Sequence, residues 1–573
     1  MRLRRPTVSL FLLCLVFVGI AAGVERVWAQ AESLSRPGSM KTVLRGTSVE
    51  EFPVEILGRY GDEDLILIRI SEELAERSGG IAEGMSGSPV YAEGELIGAL
   101  SYALNDRSHR YALVTPIEQM LEILALLPEQ QLPEDTVGLE PLMAPVFTYG
   151  YTTRSVRALE DIFSLRPLGS LRGWPAGSDV VAELEPGSAV AVQLVYGDVS
   201  VVAVGTVTWV EDGVFLAFGH PFYHAGSVSL LLSQAVVVDT VDADPLPFKL
   251  AYPTRPAGTV LQDRSAGIAG TLGIVPEYTE VVLDIEDTST GKREQLKFYA
   301  VYDENLITYL FGSSALALVD RALDRVGTGT ALVDFTIESR DLVQPLIRTN
   351  VYCSGDIGAT AVTELSEAVS LLATNEFRPV HLERISARIT VSDKLQRASL
   401  VQVVARQEYY SPGDEVVLEI VLRPFREAVQ KYEVVLEVPD HWPMGMTTVL
   451  VESGSADFYY PDYSALAQEM VWTEAVRTPG LDEESADAGD LDLLIRQFTE
   501  RLRNDQIKVT LMNMESEERV ERVIDLPFVA IGTVLCDLQI VPGKESWEEE
   551  STESVQTSPE GDEFVSDHEQ ELS

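Results

Sequence analysis

A serine set between glycines, Gly84-Met85-Ser86-Gly87-Ser88-Pro89, runs straight into an apolar stretch and so demands a turn that opens a strand. Gly84 and Gly87 carry no Cβ, which frees the backbone to take positive φ or to let another chain approach closely. With the apolar run Leu65 to Ile70 before it and Gly94-Glu95-Leu96-Ile97-Gly98-Ala99 after it, the region reads as short strands joined by glycine turns. The same hexapeptide suits two purposes. It makes a tight hairpin connection, and it lifts a serine hydroxyl clear of the backbone with neighbouring amides converging beside it, the geometry needed to attack a carbonyl.

A second motif bears on the choice. Ser200 to Phe218 alternates small and apolar residues and breaks at Glu211-Asp212-Gly213, as two strands joined by a hairpin would. Phe218-Gly219-His220-Pro221 then places His220 at a strand end. With six histidines in the chain, this one reads either as ordinary structure or as a base, and geometry decides between them.

Gly79-Gly80-Ile81-Ala82-Glu83-Gly84-Met85-Ser86-Gly87-Ser88-Pro89-Val90, followed by Gly94 to Ala99, resembles the serine-bearing segment of the SpoIVB family of sporulation peptidases, which are chymotrypsin-like serine peptidases. Gly205-Thr206-Val207-Thr208, Phe218-Gly219-His220 and Asp263-Arg264-Ser265-Ala266-Gly267-Ile268-Ala269-Gly270 are similar to that family's histidine-bearing segment. The resemblance covers residues 45–125 and 190–280. It implies a double β-barrel acting on a protein or peptide, with Ser86 as nucleophile, His220 as base, and the Gly84 and Ser86 amides as the oxyanion hole.

Two departures accompany the resemblance. In founding members the histidine segment comes first, whereas here Ser86 precedes His220; the halves are permuted, which leaves residues 127–180, with six prolines from Pro128 to Pro175, as a crossover. The family's aspartate upstream of Gly-Gly-Ile is Ser71 here, and Ser71-Glu72-Glu73 reads as a helix N-cap with two acids near the positive end of the dipole. The orienting acid is therefore open among Asp62, Asp64 and Asp263, each of which also suits a surface turn. A Ser-His dyad and an inactive relative stay open beside it.

The surrounding pattern sets further expectations. Thr115-Pro116-Ile117-Glu118 reads as a capping box starting a helix through Leu127. Val236-Val237-Val238, Leu250 and Thr259-Val260-Leu261 read as short strands separated by proline-rich turns. Residues 281–395 mix strands at Val281 to Ile285 and Ala331 to Ile337 with helices at Ser313 to Val326, ending at Gly327, and Thr363 to Thr374. From 396 the pattern turns to β. Ser411-Pro412-Gly413-Asp414 leads into the alternating run Glu415 to Leu422, and a strand follows from Tyr432 to Val438. These suggest an immunoglobulin-like sandwich, accompanied by a helix from Asp490 to Arg503.

The expected chain is mainly β: a permuted chymotrypsin-like double β-barrel, then an α+β region, then an immunoglobulin-like sandwich. The segments are 1–31 signal peptide, 32–126 serine-bearing half, 127–180 crossover, 181–280 histidine-bearing half, 281–395 α+β, 396–543 sandwich and 544–573 acidic tail. Arg2, Arg4 and Arg5 before the apolar run Val8 to Gly23, with Ala29-Gln30-Ala31 after it, read as a secretory signal. This places the protein outside the cell, in the periplasm or in the envelope; only an uncleaved signal would tether it to a membrane. Cleavage leaves Cys353 and Cys536, one disulfide at most and no metal-ligand spacing. His220 and His224 do not form a zincin motif, because Pro221 interrupts a helix and no glutamate follows the first histidine. No catalytic metal, cofactor, nucleotide or nucleic acid is expected, and the net charge of −47 repels polyanions. The leading expectation is an exported serine endopeptidase working through an acyl-enzyme. Its rivals are an inactive envelope protein that binds protein or cell-wall components, and a peptidase that cuts only itself.

Overall fold

The computed structural model describes residues 35–61, 64–104, 108–127, 145–160, 163, 165–166, 183–455, 491–513, 516 and 518–542. The expected signal peptide, Asp62, most of the crossover and the acidic tail lie outside the described residues. Among the described residues no helix is long and apolar enough to cross a membrane. The described residues divide into two compact units, 350–353, 394–455, 500–513, 516 and 518–542 forming the second and the remainder the first.

The first unit opens with a closed barrel of β1 Arg36–Thr42, β2 Glu50–Tyr60, β3 Leu65–Ile70, β4 Pro89–Ala92, β5 Glu95–Ala103 and β6 Tyr111–Pro116, ordered β1-β2-β3-β6-β5-β4. Alternation along these strands turns Phe52, Val54, Ile68, Ile70, Leu100 and Val114 into one core. Helix α1 Glu72–Ser78 follows β3 as expected. Ser71 Oγ accepts from the Leu74 amide at 3.3 Å, Glu72 and Glu73 occupy the first turn, and Gly79 ends the helix at φ +74°.

Helix α2 Ile117–Leu124 buries Ile117, Met120 and Ile123, but the expected capping box is not formed. Pro116 takes the cap position without a side-chain bond. Thr115 stays in β6, where extended pairing with Ala99 holds it, and its hydroxyl donates to the Gly219 carbonyl at 2.6 Å.

The histidine-bearing part belongs to a 13-stranded sheet. Its strands are β7 Val146–Tyr149, β8 Leu165–Arg166, β9 Ala189–Gly197, β10 Ser200–Glu211, β11 Val214–Ala217, β12 Gly226–Val241, β13 Phe248–Arg264, β14 Gly267–Leu272, β15 Tyr278–Asp287, β16 Lys292–Val301, β17 Gly329–Glu338, β18 Leu346–Ser354 and β19 Arg384–Ser392. Because β9 pairs with both β10 and β12, the run β9-β12-β13-β14-β11-β10 returns on itself as a closed circuit of pairings. Part of the expected crossover is structured: β7 pairs with β10, and α3 Arg157–Glu160 follows it.

The expected short strands are instead two long ones, β12 with 16 residues and β13 with 17. Pro253 and Pro256 lie inside β13, opposite Ala235 and Ser233, where the register shifts. Bulges accommodate residues that lack an amide donor, so proline does not end the strand here.

Two helices differ from expectation at their ends. Helix α4 Ile307–Leu323 begins before Ser313, because Leu310, Phe311 and their neighbours are buried on several sides and leave no clean amphipathic stripe. It stops at Asp324, in the left-handed region at φ +52°, before Gly327 is reached. Helix α5 Ile357–Ala373 starts earlier than Thr363, capped by Asp356, which accepts from the Ala359 amide at 3.3 Å.

The second unit holds β20 Arg397–Ala405, β21 Tyr409–Tyr410, β22 Glu415–Pro424, β23 Gln430–Glu437, β24 Gly445–Ser453, β25 Gln506–Asn513, β26 Arg519–Asp525, β27 Val529–Ile531 and β28 Thr533–Ile540. They form a four-stranded sheet β23-β22-β20-β27 and a five-stranded sheet β21-β28-β24-β25-β26. Inward residues of both, such as Leu418, Ile420, Val449 and Val509, share one core. The helix expected over 490–503 is shorter, α6 Leu491–Thr499, and clusters with the first unit, where Arg348 donates to the Thr499 carbonyl at 2.9 Å. Cys353 and Cys536 are not joined to each other.

Candidate active site

The serine turn is built from the backbone outward. Gly84 and Gly87 both take positive φ, +87° and +91°, which the two glycines permit without strain. Inside the turn the Met85 amide donates to the Ala82 carbonyl at 3.0 Å and the Ser88 amide to the Met85 carbonyl at 2.9 Å. The barrel grips its far end, with Gly87 N donating to Leu100 O at 2.8 Å and Leu100 N to Ser88 O at 2.9 Å.

Strand β10 grips the other side. The Thr206 amide donates to the Ser86 carbonyl at 2.8 Å, the Thr206 hydroxyl to the Gly84 carbonyl at 2.9 Å, and the Thr208 hydroxyl to the Gly87 carbonyl at 2.8 Å. Contact is close enough that a Cβ on Gly87 would fall 2.0 Å from the Thr206 carbonyl oxygen and 2.4 Å from the Phe218 nitrogen.

The histidine segment arrives at the same place. Phe218 sits at φ +71°, a conformation that costs a bulky residue about 1–3 kcal/mol and persists only where its surroundings enforce it. Its amide donates to the Thr206 carbonyl at 3.3 Å. A Cβ on Gly219 would lie 3.1 Å from both the Ala99 Cβ and the Leu100 carbonyl oxygen. Leu100 therefore lies against both the residue after Ser86 and the residue before His220.

The imidazole of His220 lies near two aromatic rings, Phe218 at 6.0 Å and Tyr102 of the serine-bearing barrel at 6.5 Å between centroids. Its Nδ1 lies 2.7 Å from the Pro221 carbonyl oxygen. A carbonyl only accepts, so that contact assigns the proton to Nδ1 and leaves Nε2 as the basic nitrogen. Ser86 and His220 are 0% and 1% exposed, so both side chains are closed off from solvent.

The acid candidates occupy different settings. Asp263 is buried and accepts from the amides of Phe222 at 2.6 Å, Tyr223 at 2.9 Å and Ala225 at 3.3 Å, so it clamps the turn that follows His220. Burial raises its pKa, and the amide bonds pull the other way. Asp64 is exposed on the β2–β3 turn and ion-paired with Arg59 at 2.7 Å. Asp62 lies outside the described residues.

Sequence reasoning passed over two residues at this junction. Thr206 lies in Gly205-Thr206-Val207-Thr208, where nothing in its local sequence marks it out. Lys249 is fully buried, its Nζ donating to Thr42 Oγ1 at 2.8 Å and Thr206 Oγ1 at 3.2 Å, and burial pushes the amine down to about 7. A lysine inside the apolar run Phe248-Lys249-Leu250-Ala251 at the start of β13 was the available signal. Among the described residues no group of three or more His, Cys, Asp or Glu is placed to hold a metal ion.

Residues 24–121 match the model of the SpoIVB peptidase S55 family. The match takes in all six strands of the serine-bearing barrel and Ser86, while His220 lies beyond it. For this segment the similarity to SpoIVB peptidases noted from the sequence holds, and the chemistry it indicates at family level is that of a serine peptidase. No curated protein and no solved structure matches the chain.

Proposed function

We propose that the protein is an exported serine endopeptidase whose two barrels are arranged as in chymotrypsin-like enzymes, with the serine-bearing half first in the chain. The observation that carries this reading is the meeting of Gly87 and Gly219, neighbours of Ser86 and His220, at Leu100. In the mechanism His220 Nε2 takes the proton of Ser86 Oγ as that oxygen attacks the scissile carbonyl. The Gly84 and Ser86 amides receive the oxyanion. Collapse breaks the peptide C–N bond, the imidazolium returns the proton to the departing amine, and water then hydrolyses the acyl-enzyme by the same route.

The Pro221 carbonyl takes the orienting position on Nδ1 that a carboxylate fills in a triad, while Asp263 holds the chain beyond it. A carbonyl orients the ring but supplies less charge to the imidazolium, so turnover below that of a full triad is expected. The second unit, two sheets about one core, is read as an immunoglobulin-like module that spaces or binds.

The test is fluorophosphonate labelling of the mature chain alongside Ser86→Ala and His220→Ala. Wild type is expected to label, with both variants reduced by about 10³-fold or more. A wild type that stays unlabelled overturns the reading in favour of an inactive envelope protein.

A further inference from the structure

The serine turn rests on a buried amine. Lys249 stands at the start of β13, and its backbone is stitched to the turn: Lys249 N donates to Glu83 O at 2.9 Å and Glu83 N to Pro247 O at 2.8 Å. The aliphatic stem lies under Gly84, where a Cβ would come 3.2–3.5 Å from Lys249 Cβ, Cγ and Cδ.

At the end of the stem Nζ reaches two hydroxyls that each hold a different part of the turn. Thr206 Oγ1 accepts from Nζ and donates to the Gly84 carbonyl, while the Thr206 main chain binds Ser86 O through its amide and Phe218 N through its carbonyl. Thr42 Oγ1 accepts from Nζ and from Ser88 Oγ at 3.0 Å. One amine is thus joined through two threonines to residues 84, 86 and 88 and to the strand end that carries His220. An apolar side chain would fill the same space without burying a polar group, so stability alone does not call for lysine at this position.

We propose that Lys249 is a positioning residue for Ser86: acting through Thr206 and Thr42, it sets the spacing between the serine turn and the His220 strand end and thereby the reactivity of the Ser86 hydroxyl. Its effect on reactivity rests on the peptidase reading above, whereas its anchoring of the turn does not. Small displacements matter at such a site, since misplacement by about 1 Å lowers a rate by about 100-fold.

The experiment uses the full mature chain with Lys249→Met, which keeps the stem and removes the donors, and the pair Thr206→Val and Thr206→Ser. It reads fluorophosphonate labelling as a function of probe concentration, together with hydrogen exchange of the peptide spanning 83–88. Lys249→Met and Thr206→Val are expected to lower the maximal labelling rate by about 10–100-fold, leave the half-saturating probe concentration within about twofold, and speed exchange of that peptide. Thr206→Ser keeps the hydroxyl and is expected to restore both readouts.

Wild-type labelling and exchange in Lys249→Met overturn the proposal. Faster exchange with undiminished labelling overturns it as well, because the turn would then be anchored without consequence for Ser86. If Lys249→Met does not fold, the Val and Ser variants at Thr206 decide by the same two readouts. An unlabelled wild type overturns the peptidase reading and with it the effect on reactivity, and the exchange arm then accepts or rejects the anchoring by itself.

Discussion

The junction around Ser86 and the sandwich of the second unit are both built from β-strands, yet their interiors differ in kind. Around the serine turn Lys249, Asp263, His220, Thr115, Thr206 and Thr208 are all buried, and these side chains bond to backbone groups and to one another. In the sandwich the core is Leu418, Ile420, Val449, Val509 and similar residues, and among the described residues of that unit no charged side chain is buried. Apolar packing is non-directional and tolerates repacking, whereas a buried polar network holds only when donors and acceptors meet in one arrangement. The difference teaches where the chain specifies geometry and where it specifies only cohesion.

The contrast can be broken most forcefully at Gly87. Gly87→Ala drives a Cβ into the Thr206 carbonyl and the Phe218 nitrogen at positive φ, and a loss of roughly 3 kcal/mol or more is expected in the first unit. Calorimetry of the full chain should show that unit melting earlier while the sandwich transition stays in place. If both shift together, the two regions do not differ as described.

Leu418→Ala probes the opposite side. It empties a fully buried position in the sandwich and should cost about 2–5 kcal/mol there. Ser86 labelling should match wild type at a temperature where the sandwich remains folded; lost labelling would mean that the apolar unit also sets the geometry of the site.

The third prediction concerns pH. The Lys249 amine falls from an ordinary value near 10.5 to about 7 in the folded chain. Between these values the unfolded chain binds the proton and the folded chain does not, so this group makes stability rise with pH from about 7 to 10.5 and gives no further change outside that window. The slope is at most about 1.4 kcal/mol per pH unit. Denaturant melts of wild type and Lys249→Met across this range should diverge with pH, and parallel curves would show that the amine does not titrate between the two states in this way.

Much of the strand framework was legible because it depends on local rules. The run Leu65 to Ile70 became β3 without adjustment, Ser71 capped its helix, and Ser411 to Asp414 made the turn before β22, closed by the Asp414 amide on the Ser411 carbonyl. Elsewhere the local rule lost to a distant partner. Thr115 had the spacing of a capping box, but strand pairing and the Gly219 carbonyl, 104 residues away, took its backbone and hydroxyl. Pro253 and Pro256 looked like strand breakers until β12 supplied a bulged edge that needs no donor from them. Helix α4 concealed its first turn because it is apolar on several faces.

The same division runs through the site. By itself the sequence determined that Ser86 sits in a glycine turn and that His220 follows a strand end, since turn chemistry and alternation are written within a few neighbouring residues. Only the tertiary structure decided that the two segments meet at Leu100, that Pro221 rather than a carboxylate faces Nδ1, that Asp263 clamps the following turn, and that Lys249 lies beneath Gly84. The reason is physical: the hydrogen bond from Lys249 to Thr42 spans 207 residues, and a contact of that kind exists only once the intervening strands have closed and excluded water.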